Sequence, residues 1–170
     1  SQLSLVGLLA VALVFLVLAG EFASFSTPML VMTTVPLAAV GGIIALWITG
    51  QSINAVSLIG IVVMIGMADN EAVVKLDAIQ RFRESGYGIE EAIRLGGKQR
   101  LRAIGMTMLT TITGVLPLAF GWGSGGELYQ PLAATVIGGA ITAILVTFFL
   151  LPTAYAVVER RKERKAKAVS

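Results

Sequence analysis

The sequence predicts an all-α fold: a polytopic membrane bundle of five transmembrane helices, with an amphipathic helical segment on the cytoplasmic surface. Three observations carry this. The 170 residues are 56% hydrophobic and only 14% charged, with mean hydropathy +0.86, whereas globular domains carry roughly 25% charged residues. Five runs approach the roughly 20 apolar residues needed to cross about 30 Å of hydrocarbon. All 13 Lys and Arg fall in two segments, seven within 75–102 and six within 160–167, the clustering that the positive-inside rule produces.

The first expected span, 3–19, is apolar with Gly7 as its only interruption. Glu21 to Pro28, with a charge, three hydroxyl residues and a proline, ends that helix and starts the next. The second span, 29–48, holds Pro36, which a bilayer helix tolerates when neighbours satisfy the freed carbonyl. The polar turn Thr49-Gly50-Gln51-Ser52 makes a hairpin with the third span, 53–76. Residues 77–102 mix Ile79, Phe82, Ile89, Ala92, Ile93 and Leu101 with many charges and break at Ser85-Gly86-Tyr87-Gly88. They read as amphipathic helix lying on the membrane, cations toward lipid phosphates. The fourth span is 103–120, followed by a glycine-rich loop, 121–127, with Trp122 and Tyr129 placed for an interfacial belt. The fifth span, 131–151, closes at Pro152, and residues 159–170 form a basic tail.

Topology follows from the cations. Two spans separate the 77–102 stretch from the tail, so both lie on the cytoplasmic side, and three spans put Ser1 outside. Without a basic n-region or a cleavage site, the start does not read as a signal peptide, and a further segment is expected before Ser1. Gly41, Gly42, Gly60, Gly66, Gly138 and Gly139, with Ala140 and Ala143, are expected where helices approach closely.

Several function classes are excluded by what the chain lacks. With no Cys and no His there are no disulfides, thiolate metal ligands, imidazole ligands or serine-triad base. The glycine loop is preceded by no strand and followed by no Gly-Lys-Ser, so it is a turn and not a phosphate cradle. The net charge of +3 is explained by membrane topology, not by nucleic-acid binding. No enzyme, cofactor or metal site is expected, and any proton chemistry rests on carboxylates, lysines or hydroxyls.

That chemistry points to one stretch, Gly66-Met67-Ala68-Asp69-Asn70-Glu71-Ala72-Val73-Val74-Lys75-Leu76-Asp77. An ionised side chain near mid-membrane costs roughly 2.5 to 3.5 kcal/mol on insertion scales. Asp69 and Glu71 are two apart and point about 200° apart on a helix. Asp69 sits on the order of 8 Å past the middle of the third span. Low dielectric favours the neutral form of a carboxylate, which makes Asp69 a candidate proton carrier if it faces the interior. Glu71 and Lys75 have the favourable i, i+4 order for a local ion pair. In that reading Glu71, Lys75 and Asp77 are simply the wet end of a helix. Thr107, Thr110 and Thr111 share a helix face that would continue a hydrogen-bonded path, unless their hydroxyls bond back to their own helix.

The motifs Glu21 to Pro28 leading to Val35-Pro36-Leu37-Ala38, then Gly66-Met67 through Asp77, then Arg100 to Thr107, then Gly114-Val115-Leu116-Pro117-Leu118, occur in register across the chain. In them the chain resembles the C-terminal membrane half of resistance-nodulation-division (RND) efflux permeases. The resemblance implies a bacterial inner-membrane protein with a periplasmic N-terminus and a cytoplasmic C-terminus. It implies a proton-driven transporter, with the N-terminal half and porter domains of the same permease as partners, assembled as a homotrimer. A periplasmic adaptor, an outer-membrane channel and membrane lipids are the further partners implied. Asn70 matches the tenth-helix relay position that is Lys in many drug pumps and acidic in metal pumps, Thr107 the eleventh-helix hydroxyl, and Arg100 the basic residue before it. The relay so implied comprises Asp69, Asn70, Glu71 and Thr107, with Lys75, Arg100, Thr110 and Thr111 in support. The chain departs from the drug-pump pattern at position 70, and the family's fourth-helix aspartate pair is not in it. The substrate expected is organic, and the competing reading is a non-transporting membrane scaffold or accessory subunit whose carboxylates form structural ion pairs.

Overall fold

The computed structural model describes residues 26–169 continuously, together with isolated positions between 5 and 20. The first expected span, 3–19, lies largely outside the described residues. Six α-helices follow, with no strand among the described residues: α1 Ser26–Met32, α2 Thr34–Thr49, α3 Ala55–Glu84, α4 Ile89–Ala119, α5 Gly126–Leu145 and, after a π-helical turn Val146–Leu150, α6 Leu151–Val169. The architecture is an all-α membrane helix bundle. Four helical stretches are long and apolar enough to cross a membrane, Thr27–Thr49, Ala55–Glu84, Ile89–Ala119 and Gly126–Ala168.

The breaks have local causes. Pro36 has no N–H to give the Met32 carbonyl, and the chain pauses at Thr33 before α2 begins, so Pro36 falls in a first turn where its missing donor is harmless. At the end of α2, Gly50 adopts φ 68° and returns its N–H toward Leu46 and Trp47 carbonyls. A reciprocal cap then starts α3: Ser57 N–H donates to Asn54 Oδ1, and Asn54 N–H donates to Ser57 Oγ, both at 2.9 Å.

Residues 77–102, expected as a surface segment of their own, are instead shared between two long helices. Residues 77–84 finish α3 and 89–102 open α4. At 30 residues α3 is about 45 Å long, well beyond the roughly 30 Å of hydrocarbon, so its charged end projects past the bilayer. Most of the apolar residues among those charges face protein, Leu101 being the exposed exception. Ile79 and Ala92 bury with Leu30, Val31, Ala72, Leu76, Leu151 and Tyr155 in one core cluster, against which Phe82 and Ile93 pack; Ile89 is buried as well. The expected end at Pro152 is likewise absent: the last helix runs on to Val169, and the basic tail is helical.

A second cluster fills the mid-bundle with small and flexible side chains, Ala38, Met64, Ala68, Ile104, Met108, Val136, Ala140 and Ala143. Here α5 is the central helix, packed on α2, α3 and α4. A Cβ on Gly138 would strike Ala45 and the Gly41 carbonyl, and one on Gly60 would strike Thr135. Gly66 is different: it is exposed, with open space where a Cβ would go, so it is not a contact residue among the described residues.

Candidate functional site

The charged middle of α3 is held by what lies on each side of it. Asp69 is half-buried, toward α2, with Oδ1 3.3 Å from Thr34 Oγ1. That hydroxyl also lies 2.6 Å from the Val31 carbonyl, and Thr34 is 1% exposed. A hydroxyl has one hydrogen, and a carbonyl can only accept. With Asp69 ionised the single hydrogen is shared between two acceptors. With Asp69 protonated the carboxyl donates to Thr34 Oγ1, the hydroxyl donates to Val31, and both contacts are filled. The site is therefore one hydrogen short with Asp69 ionised and fully paired with Asp69 protonated.

Glu71 lies on another face of α3 and is 5% exposed. Among the described residues it makes no hydrogen bond and no ion pair. The expected local pair with Lys75 is not formed, because Lys75 turns to the last helix. Its Nζ donates to the Thr147 carbonyl at 2.6 Å and stands 4.1 Å from the centroid of the Phe148 ring. Asp77 pairs with Arg81 at 3.0 Å in a solvent-facing i, i+4 contact, worth little energetically.

The remaining expected site residues stand apart. Asn70 is exposed and makes no hydrogen bond among the described residues. Thr107 and Thr110 are exposed on α4, and Thr111 is half-buried. Their hydroxyls bond back to Ala103, Met106 and Thr107 carbonyls at 3.0, 2.8 and 2.9 Å. They do not bridge to the carboxylates, although each oxygen keeps lone pairs toward the open side of the chain. Arg100 Nε is buried without a partner among the described residues. The structure thus joins Asp69 to Thr34, and Lys75 to Thr147, neither of which was expected. No sequence pattern pairs positions 35 and 72 residues apart, though Pro152 was a visible sign of an irregular turn nearby.

Two interhelical ion pairs close the cation-rich end. Arg83 meets Glu163 at 2.7 Å, and Arg160 meets Glu90. They clamp α6 onto the tip of the α3–α4 hairpin.

Residues 1–159 match the sequence profile of the AcrB/AcrD/AcrF family. The chain belongs to this family of RND permeases. It is 36% identical over 163 residues to the cobalt-zinc-cadmium resistance protein CzcA of Cupriavidus metallidurans, covering 96% of this chain and 15% of that protein. It is 38% identical over 165 residues to the multidrug resistance protein MdtC of Erwinia tasmaniensis, covering 96% of this chain and 16% of that one. Among solved structures, a heavy metal efflux pump superposes with TM-score 0.83 at 34% identity, over 93% of this chain and 16% of the pump. The chain thus spans about a sixth of the length of these RND relatives.

Proposed function

We propose that this chain is the membrane part of a proton-driven efflux permease exporting small molecules, and that Asp69, Asn70, Glu71 and Thr107 line its proton path. The observation that carries the reading is the Asp69–Thr34–Val31 arrangement, which is fully satisfied with one added proton on Asp69. Glu71, buried with no counter-charge beside it among the described residues, is a second carboxylate on the same stretch. Asn70, Thr107 and Thr110 are exposed on this chain, where another part of the permease would meet them; Lys75, Arg100 and Thr111 support the path. The partners are the N-terminal half and porter domains of the same permease, in a homotrimer joined to a periplasmic adaptor and an outer-membrane channel. The setting is a bacterial inner membrane, with the cation-rich end cytoplasmic.

The relatives are named for metals in one case and for multiple drugs in the other. The test is dye efflux by the full-length permease carrying Asp69→Asn or Glu71→Gln. Both variants assemble normally and lose efflux. Unchanged efflux in both would overturn the proton role and return the scaffold reading.

A further inference from the structure

The π-helical turn between α5 and α6 has a cause in the sequence and a consequence for Glu71. Pro152 has no N–H. In an unbroken α-helix the carbonyl left without its donor, four residues back, would be that of Phe148. Here the Leu151 N–H reaches back five residues to the Val146 carbonyl, and in that register the carbonyl facing Pro152 is that of Thr147. This is the carbonyl that takes Lys75 Nζ at 2.6 Å. Lys75, 2% exposed, has been drawn across the bundle to satisfy a gap that a proline makes.

One turn before it on the same helix stands Glu71, buried and unpaired among the described residues, at the spacing from which a carboxylate captures an ammonium. The ammonium's bond to the Thr147 carbonyl is already charge-assisted, but an ionised Glu71 would add the attraction of a full opposite charge, strengthened in low dielectric, and so would compete for Lys75. The observed seat on Thr147 fits a neutral Glu71. The other ionisable groups on the helices around Lys75 include Asp69 and Asp77 on α3, Lys98 and Arg100 on α4, and Tyr155 and Glu159 on α6, with further charges toward the cation-rich ends of these helices; α5 carries only Glu127 and Tyr129, both in its first turn, and α2 and the π turn have none.

We propose that Lys75 is a positioning residue with two seats, the Thr147 carbonyl and the Glu71 carboxylate, and that its exchange between them sets the register of the Val146–Leu150 turn. When Lys75 leaves for Glu71, the Thr147 carbonyl loses the side-chain donor it has among the described residues, the π register is no longer favoured, and the turn reverts to α register with the gap opposite Pro152 passing to the Phe148 carbonyl. The course of α6 changes with it, and α6 carries Arg160 and Glu163, its anchors to the α3–α4 hairpin. A proton arriving at Glu71 is thereby converted into movement of the last helix. This rests on the proton role proposed above, but is readable without transport.

The test is a spin-label distance across the turn in the full-length permease, with labels at the exposed positions Ile141 and Val157. The two registers differ by one residue's rise and rotation, on the order of 1.5 Å and 100°. Lys75→Met shifts the distance in the wild-type background. In Pro152→Ala, where a restored N–H satisfies the carbonyl, adding Lys75→Met leaves it unmoved. A Lys75→Met shift of equal size in both backgrounds, or in neither, overturns the proposal. If Lys75→Met alone fails to assemble, assembly becomes the readout: Lys75→Met/Pro152→Ala assembling supports the two-seat role, and its failure overturns it. Raising the pH moves the wild-type distance toward that of Lys75→Met and leaves Glu71→Gln fixed; an equal pH shift in Glu71→Gln removes Glu71 as the second seat. Coupling between Lys75 and Pro152 in a permease whose efflux ignores Asp69 and Glu71 would overturn the proposed function and leave the switch standing.

Discussion

Two regions of this bundle, a few turns apart along the same helices, are built on opposite rules. Where α5 meets α2 and the first half of α3, the contact is made by Gly41, Gly60, Gly138 and alanines, with backbone nearly touching backbone and no ionisable side chain in the seam. Where α3 passes the π turn, the contact is made by long polar side chains, and hydrogen-bonding capacity is left unused. Glu71 is unpaired, and Thr147 Oγ1 and Arg100 Nε are buried with no partner among the described residues. A membrane offers no water to fill such gaps, so the second region is held in a state that other arrangements can rival. The seam fixes the helices; the polar layer leaves them something to exchange.

That contrast can be broken from either side. The largest effect on stability is expected in the seam. Gly138→Ala places a methyl group against Ala45 and the Gly41 carbonyl and should destabilise the permease by about 1–3 kcal/mol, as overpacking does, read as a lowered melting temperature in detergent. In the polar layer the sign reverses. Thr147→Val removes a buried hydroxyl that has no partner among the described residues and should stabilise by about 1 kcal/mol in the same assay, leaving the carbonyl that Lys75 uses in place. Arg83→Gln removes an ion pair whose carboxylate is half exposed and should cost no more than about 1 kcal/mol, seen only at low salt. The smallest effect belongs to Gly66→Ala, since that position is open; a change within about 0.5 kcal/mol separates it from the seam glycines. An equal loss at Gly66 and Gly138 would erase the distinction between the two regions.

The sequence carried the helical class, the apolar runs and most of the close-approach glycines, because hydropathy and small-residue spacing are local signals. It placed the charged carboxylates on α3 for the same reason. It read 77–102 as helix broken at Ser85–Gly88, which is where α3 ends and α4 begins, but it set Ile79 and Ala92 on a surface segment, whereas they pack with residues of α1 and α6 from elsewhere in the chain. Lys75 shows the limit most clearly. Its i−4 neighbour Glu71 was the local choice, and the partner it takes is a carbonyl 72 residues away. Only the tertiary fold reveals that Pro152 leaves that carbonyl waiting. For Thr107, Thr110 and Thr111 the spacing left two readings open, a shared path or bonding back to their own helix, and the hydroxyls bond back to α4.

The most direct measurement is proton flux through the full-length permease in proteoliposomes, followed with an internal pH dye when substrate is added. The account predicts substrate-dependent proton movement in the wild type and none in Asp69→Asn or Glu71→Gln, with all three proteins equally folded. Proton movement at the wild-type rate in both variants would contradict it.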